Sequence, residues 1–268
     1  MSEASSYFSV IPEGKRVWVI SSVEGDAVRL RYLHRKISAE FQAGDALVYL
    51  GNILGRGPVS VKALDEVLLF RRALISIPGV SQYDIVYLRG QQEEIFHKLM
   101  KLQYAPHPRE VLDWMLAHGL EKVLESYGAD VKELKRIIPQ GVVAISKWLA
   151  HLRQIQKSHD GHIEFMDCLK HAAYTADEKM LFVHFGLNHD VGLSAQGDAF
   201  WWGGKPPFVR TYPFHQFLQV VRTLSAAQNT GVFADKYYTT LVSGAGHDAP
   251  IYAVLYDENH EKKLTFNC

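Results

Sequence analysis

The sequence contains few cysteines and no excess of charge of either sign. Only two of its 268 residues are cysteines, too few for a small scaffold held together by disulfides. Lys plus Arg and Asp plus Glu both number 29, so no overall field attracts nucleic acid or an anionic membrane. Residues 1–10 show no signal-peptide pattern, and no apolar run reaches about eighteen residues. These absences predict a soluble cytoplasmic protein that binds neither nucleic acid nor membrane.

The composition, by contrast, supports a sizeable hydrophobic core. Hydrophobic residues make up 47% of the chain, which is typical of a globular protein. A chain of this length can bury most of its apolar surface without disulfides. No repeat, low-complexity tract or linker interrupts the sequence. We therefore predict a single domain over residues 1–268.

Apolar segments alternate with helical patterns in the first third of the chain. Lys15–Val23 is a β-branched run that ends in a polar turn, and Asp26–Phe41 then carries apolar residues at helical spacing. Further strands are predicted at Ala46–Leu50 and Asp84–Leu88, with a helix at 60–77 between them. This alternation favours right-handed crossovers and a largely buried sheet.

The rest of the chain is first helical and then mostly β. Gln92–Tyr174 has helical periodicity almost throughout, and Met180–His184 predicts a fourth strand. Thr230–Val242 and Pro250–Tyr256 have strand-like patterns around a glycine-rich turn. The fold class is therefore α/β, with a second sheet and a helical cap insertion at residues 92–175.

Polar clusters on glycine-containing turns follow four of the predicted strands. In open α/β sheets the ligand crevice lies beyond the carboxyl ends of the strands, so these turns should converge on one pocket. The four turns are Ser21–Gly25, Gly51–Pro58, Leu88–Glu93 and His184–Leu187.

These turns resemble the signature loops of calcineurin-like metallophosphoesterases, in particular the bacterial serine/threonine phosphatase and diadenosine tetraphosphatase branch. The usual loop forms are Gly-Asp-x-His-Gly, Gly-Asp-x-x-Asp-Arg-Gly-Pro, Arg-Gly-Asn-His-Glu and Val-His-Ala-Gly, and their order and intervals agree. The likeness extends from about Arg16 to Tyr256. It implies a four-layer sandwich of two mixed β-sheets flanked by helices. It also implies hydrolysis of a phosphate ester or anhydride by water activated between two metal ions.

Six positions depart from these motifs. They correspond to the Asp and His of the first loop, both Asp of the second, and the Asn and His of the third, and are Ser22, Glu24, Asn52, Gly55, Gln91 and Gln92. A neutral amide is a weak substitute for the carboxylate that bridges two cations. Gln92 cannot donate a proton to a leaving group near neutral pH. The further histidine expected at 220–229 is also absent from Val220–Ser225.

Other positions retain the residue types that the resemblance implies. Arg56 and Arg89 stand where phosphate contact is expected, and a guanidinium can hold phosphate without a metal. With Asn52, Gln92 and His184 they form our candidate ligand-binding set. Glu24 and His184 are the remaining weak candidates for a metal. Either arginine could instead fix its own turn, His184 could be a core histidine, and Glu24 could form an ion pair with an arginine.

The sequence therefore predicts a degenerate metallophosphoesterase-like protein, catalytically impaired or inactive, which binds a phosphate-containing ligand or a protein partner in the former crevice. No cofactor is expected. The alternative is an active phosphatase or dinucleoside polyphosphate hydrolase with one divalent Mn, Fe, Zn or Ni ion held by Glu24, Asn52, Gln91 and His184. A third hypothesis is an interaction protein whose helical segment provides the binding surface.

Three further groups have both a functional and a structural interpretation. Trp201 and Trp202 could stack on a nucleobase, but core packing is favoured. The spacing of His159, Asp160 and His162 suggests a metal site, although a helix break at Gly161 explains it better. His247 and Asp248 are predicted at an exposed hairpin tip. Serine catalysis by Ser22 is not expected, because no base is identifiable beside it.

Overall fold

Two mixed β-sheets form the centre of the protein in the computed structural model, which describes residues 7–57, 59–203, 212–226, 228–244 and 250–268. The five-stranded sheet has the order β11-β10-β2-β3-β4. Its strands are β2 (Val17–Ile20), β3 (Ala46–Tyr49), β4 (Ile85–Tyr87), β10 (Tyr252–Tyr256) and β11 (Lys262–Asn267). Strands β2, β3 and β4 are parallel, whereas β10 and β11 are antiparallel to their neighbours.

The six-stranded sheet has the order β1-β5-β6-β7-β9-β8. It is formed by β1 (Phe8–Ile11), β5 (Ala172–Thr175), β6 (Met180–Val183), β7 (Gln219–Ala226), β8 (Gly231–Ala234) and β9 (Tyr238–Gly244). The pairs β1–β5, β6–β7 and β7–β9 are parallel, and β5–β6 and β8–β9 are antiparallel. Both sheets are therefore mixed, as predicted.

The two sheets pack face to face because alternate strand residues point to opposite sides. Val19 and Val48 of the five-stranded sheet share a buried cluster with Phe182 and Val221 of the six-stranded sheet. The other face of the five-stranded sheet packs on helices through residues such as Trp18. The outer face of the six-stranded sheet is covered by the aromatic side chains of Phe200, Trp201, Phe214 and Phe217. This arrangement confirms the predicted layered α/β sandwich.

Helices cover the sandwich and supply the cap. They are α1 (Ala27–Glu40), α2 (Ser60–Ile75), α3 (Gln91–Leu99), α4 (Pro108–Met115), α5 (Glu121–Ser126), α6 (Val131–Ile137), α7 (Val142–Lys157), α8 (His162–Cys168) and α9 (Ala199–Trp202). Asp26 caps α1 by accepting a hydrogen bond from the Arg29 backbone at 3.0 Å. No helix in the described ranges is both long enough and apolar enough to cross a membrane.

Several predicted boundaries need correction. The helical segment ends at Cys168, and Ala172–Thr175 forms strand β5 inside the predicted cap range of 92–175. The alanines of β5 are fully buried against other strands, and this tertiary packing outweighs their helix propensity. The predicted strand Thr230–Val242 is two antiparallel strands, β8 and β9.

Candidate functional site

The four polar turns lie together at the carboxyl ends of the parallel strands. Glu24 and Asn52 both have left-handed backbone conformations, with φ of 55° and 52°. The Asn52 carbonyl accepts hydrogen bonds from the backbone N–H of Glu24 at 2.7 Å and of Val23 at 3.0 Å. Gly51 approaches Gly90 so closely that a Cβ on Gly51 would lie 2.6 Å from the Gly90 nitrogen. The first three turns are therefore held against one another by backbone contacts.

Glu24 is buried and lies at the centre of a hydrogen-bonded cluster with buried Asn52 and exposed Ser225. Its Oε1 accepts hydrogen bonds from Asn52 Nδ2 at 2.7 Å and from Ser225 Oγ at 2.6 Å. Its Oε2 lies 3.4 Å from the backbone nitrogen of Arg56, a weak contact. Burial raises the pKa of Glu24, and the hydrogen bonds from Ser225 and Asn52 oppose this shift. The carboxylate is thus bound by protein groups.

Gly55 makes room for this carboxylate. A Cβ at Gly55 would lie 2.4 Å from Glu24 Oε2 and 2.6 Å from Glu24 Cα. Any larger residue would therefore collide with both the side chain and the backbone of Glu24. Gly55 and Glu24 both depart from the motifs, and the small glycine leaves the space that the glutamate side chain occupies.

Asn52 joins the cluster to the start of α3. Its Oδ1 accepts a hydrogen bond from the Gln92 backbone at 3.0 Å, while its Nδ2 binds Glu24. Both ends of the amide are therefore engaged. A metal ion at this amide would have to share Oδ1 with the Gln92 backbone N–H.

Glu93 is a structural carboxylate that the sequence reasoning did not assign. It is fully buried and accepts hydrogen bonds from the backbone N–H groups of Asn52, Leu54 and Gly90, each at 2.9 Å. Burial raises its pKa to about 7, against the effect of these hydrogen bonds. Its position three residues after Gly90, the N-cap of α3, is the signal that could have identified it. Glu93 fixes the second turn to the third.

Strand β7 contributes two hydroxyl groups that the sequence reasoning also missed. Thr223 Oγ1 accepts a hydrogen bond from the Ser22 backbone at 3.0 Å and lies 3.2 Å from Ser22 Oγ. Ser225 binds Glu24. The segment Val220–Ser225 lacks the histidine that the motifs imply, and its hydroxyl residues have no local sequence signal. In the described part of the chain, no imidazole or amine forms a hydrogen bond with Ser22.

His184 is buried next to the start of the second turn. Its Nδ1 donates a hydrogen bond to the Leu50 carbonyl at 2.7 Å. Burial lowers the pKa of His184 to about 4, so the ring is neutral at physiological pH. Nε2 then carries the lone pair.

Arg56 and Gln92 lie next to the cluster of turns, on the side that the cap contacts. Arg56 is exposed, and its guanidinium forms no ion pair or hydrogen bond with the described residues. Gln92 Nε2 donates to the His118 carbonyl at 2.8 Å, and its buried Oε1 lacks a partner within the described ranges. A Cβ on Gly119 would lie 2.9 Å from Arg56 Cγ and 3.2 Å from Gln92 Nε2. The cap thus contacts two of the candidate ligand-binding residues.

Arg89 has a different environment from Arg56. Its Nη1 donates to Glu94 at 3.2 Å, and its carbonyl accepts a hydrogen bond from Trp201 Nε1 at 2.8 Å. Its buried Nε has no hydrogen-bond partner in the part of the chain that is described. Across the same residues no ion pair within 4.0 Å joins Glu24 to either arginine, although the Arg56 charge opposes the rise that burial causes in the pKa of Glu24. Gln91, the first residue of α3, is half-buried.

The two tryptophans have separate roles. Trp201 is 5% exposed and packs in the outer aromatic cluster, which agrees with the core interpretation. Trp202 is half-buried and lies edge-on to Trp114, with ring centroids 5.3 Å apart. Trp114 in turn stacks on His118 at 4.2 Å. These last three rings form an aromatic wall, Trp202–Trp114–His118, which continues from the crevice mouth.

The donor set fits a pair of metal ions poorly. Glu24 is the carboxylate in the cluster; its Oε1 already accepts hydrogen bonds from Asn52 and Ser225, and its Oε2 lies 3.4 Å from the Arg56 backbone nitrogen. Glu93 uses its oxygens for three backbone groups. Two adjacent divalent cations require more negative charge than one engaged carboxylate and one imidazole provide.

The remaining sequence candidates lie elsewhere. Asp160 forms an exposed ion pair with Arg72. His162 is buried beside Asp65, with its Nε2 3.0 Å from Asp65 Oδ1. His247 and Asp248 lie outside the described residues.

Comparisons with solved structures identify the fold. The chain superposes on a candidate diadenosine tetraphosphatase with a TM-score of 0.52 at 14% identity, covering 97% of each chain. It also matches a serine/threonine protein phosphatase from Saccharomyces cerevisiae with a TM-score of 0.48 at 13% identity, covering 98% of this chain and 86% of the other. A third match is a metallophosphoesterase from Sphaerobacter thermophilus, with a TM-score of 0.44 at 12% identity, covering 95% of this chain and 88% of the other.

No protein-family model matches the sequence, and no curated protein matches it. The likeness to the candidate diadenosine tetraphosphatase shows the calcineurin-like phosphoesterase fold that the sequence motifs implied.

Proposed function

We propose that this chain is a metallophosphoesterase-like protein that binds a phosphate-bearing ligand in its crevice and does not hydrolyse it with a pair of metal ions. The observation that carries the proposal is the cluster of Glu24, Asn52 and Ser225. In two-metal hydrolysis, ligand oxygens must face the cations. Here Glu24 Oε1 faces an amide and a hydroxyl, and Oε2 faces the backbone of the second turn at Gly55 and Arg56.

The crevice mouth supports an anionic ligand. Arg56 is exposed, and Gly119 of the cap approaches both Arg56 and Gln92, the second residue of α3. A guanidinium can hold two phosphate oxygens in a bidentate arrangement.

The aromatic wall favours a nucleotide over a simple phosphate. His118 provides the carbonyl that binds Gln92, and its ring lies on Trp114. Trp114 is 42% exposed, so one face is accessible for stacking. We infer that the phosphate is bound near Arg56 and the base on Trp114.

Calorimetric titration of the protein in EDTA tests this assignment with inorganic pyrophosphate and diadenosine tetraphosphate as probes. Arg56→Ala should weaken the binding of both probes about 10-fold or more, because a charge-assisted hydrogen bond contributes about 1.5–3 kcal/mol. Trp114→Ala should weaken only the dinucleotide. Arg109→Ala, which removes an exposed arginine on α4, is the matched control. If neither probe binds, the proposal fails and a protein partner is favoured.

A turnover assay tests the second half of the proposal. We expect no hydrolysis of p-nitrophenyl phosphate or of the dinucleotide with added Mn, Fe, Zn or Ni. Metal-dependent turnover that His184→Ala abolishes would contradict it and favour the single-metal hydrolase.

A further inference from the structure

Three potential metal ligands meet on the side of α2 that faces the cap. Asp65 lies in α2, His159 follows the end of α7, and His162 begins α8. One ligand atom from each side chain lies within 4.8 Å of the other two. Two imidazoles and one carboxylate are a donor set that suits Zn, Ni or Co.

His162 already has the environment of a metal-ligating histidine. Its side chain is fully buried, with Nε2 3.0 Å from Asp65 Oδ1 and Nδ1 2.8 Å from the Tyr127 hydroxyl. Histidine ligands nearly always use the second ring nitrogen in such a hydrogen bond, which fixes the orientation of the ring. In the neutral ring Nε2–H donates to Asp65. When a metal binds Nε2, the proton is carried on Nδ1 and is donated to the Tyr127 oxygen, without net proton release.

His159 and Asp65 provide access to the site. The His159 ring is half-buried and stacked on His162, with centroids 4.9 Å apart. Because stacked rings do not direct their in-plane lone pairs at one point, His159 must rotate to complete the site. Asp65 has a side chain that is 52% exposed, so an ion can approach from solvent.

We propose that Asp65, His159 and His162 bind one divalent transition-metal ion, which links α2 to the cap. The site shares no residue with the crevice cluster. The site is nevertheless connected to the second turn through α2. Ser60, the first residue of α2, accepts a hydrogen bond from the Gly55 N–H and donates one to the Gly55 carbonyl, each at 3.1 Å. A metal there would stabilise the position of the cap relative to the second turn.

The test is titration of metal-free protein with Co²⁺, followed by visible absorption, because tetrahedral cobalt gives characteristic d–d bands. We expect one equivalent to bind with such bands, and Asp65→Asn and His159→Ala each to abolish them. His151→Ala, an exposed histidine on the same helix α7, should leave them unchanged. Excess Zn²⁺ should raise the Tm of the natural sequence by about 5 °C or more, and not that of the Asp65→Asn variant.

The controls separate this site from the crevice. Circular dichroism of each metal-free variant establishes that it is folded. Arg56→Ala should leave the cobalt bands unchanged, whereas His159→Ala should leave pyrophosphate binding in EDTA unchanged. The proposal is overturned if the natural sequence gives no cobalt bands, or if the Asp65→Asn and His159→Ala variants retain them.

Discussion

The carboxylate of Glu24 occupies the space that a side chain on Gly55 would need. The Cβ position of Gly55 lies 2.4 Å from Glu24 Oε2, well inside van der Waals contact. Both residues stand at positions where the calcineurin-like motifs carry a histidine and an aspartate. The two replacements therefore have to be considered together, since the glycine makes room for the glutamate, and the glutamate is held there by Asn52 and Ser225.

Gly55→Ala should destabilise the protein through this contact. The added methyl group would meet Glu24 Oε2 and also Glu24 Cα at 2.6 Å, so a rotation of the side chain alone cannot relieve it. Overpacking of this kind costs about 1–3 kcal/mol, and urea denaturation would measure it. Gly192→Ala is the control, because a Cβ there meets nothing within 4 Å. Equal stability of the two variants would show that the turn adapts freely.

Asn52→Asp would place a second carboxylate against Glu24. The amide nitrogen lies 2.7 Å from Glu24 Oε1, and two carboxylate oxygens at that distance must share a proton. We expect the free energy of unfolding to fall by about 3 kcal/mol at pH 8, and by much less at pH 5, where one group is protonated. Asn229→Asp is the matched control, because Asn229 is exposed and has a similar φ of 59°. A loss that is independent of pH would point to backbone strain instead.

The regular part of the fold could be predicted because it depends on local patterns. Strands β2, β3 and β6 are entirely buried, so their sequences are continuous apolar runs that identify them. The edge strands β1 and β11 are partly exposed, and their mixed patterns did not identify them. Position within the sheet accounts for these cases, whereas β5 is internal and was still placed in the predicted helical segment, because its sequence has helix propensity.

The hydrogen bonds of the candidate site join residues that are far apart in the sequence. Ser225 and Glu24 are 201 positions apart, and a serine on a strand has no local feature that marks it as a hydrogen-bond donor to a carboxylate. The sequence predicted that Glu24 could pair with an arginine, whereas the structure places an amide and a hydroxyl there. Side-chain partners of this kind follow from the packing of β7 against the turns, which a local pattern does not encode.

Glu24→Gln should change how stability depends on pH. Burial raises the folded-state pKa of Glu24 above its ordinary value of 4.5, so the folded state retains the proton when the unfolded state has lost it. Glu24 therefore lowers the free energy of unfolding progressively as pH rises above about 4.5, until its folded-state pKa is passed. The glutamine variant should lack this decline. Urea denaturation between pH 4.5 and 8 measures how the free energy of unfolding changes with pH. Glu13→Gln, on an exposed turn, is the control. Parallel curves for the Glu24 variant and the natural sequence would contradict the assignment.

Gly119→Ala tests whether the cap positions Arg56. Gly119 has a φ of 108°, and its Cβ would lie 2.9 Å from Arg56 Cγ and 3.2 Å from Gln92 Nε2. The substitution should cost about 1–2 kcal/mol in backbone strain and should also displace Arg56 from the crevice mouth. Gly128→Ala carries a comparable backbone penalty, with a φ of 73°, but its Cβ meets nothing within 4 Å. Both variants should therefore lose stability in urea denaturation, while only Gly119→Ala should weaken pyrophosphate binding in calorimetric titration. Equal pyrophosphate affinity in the two variants would mean that the contact between the cap and Arg56 does not shape the anion site.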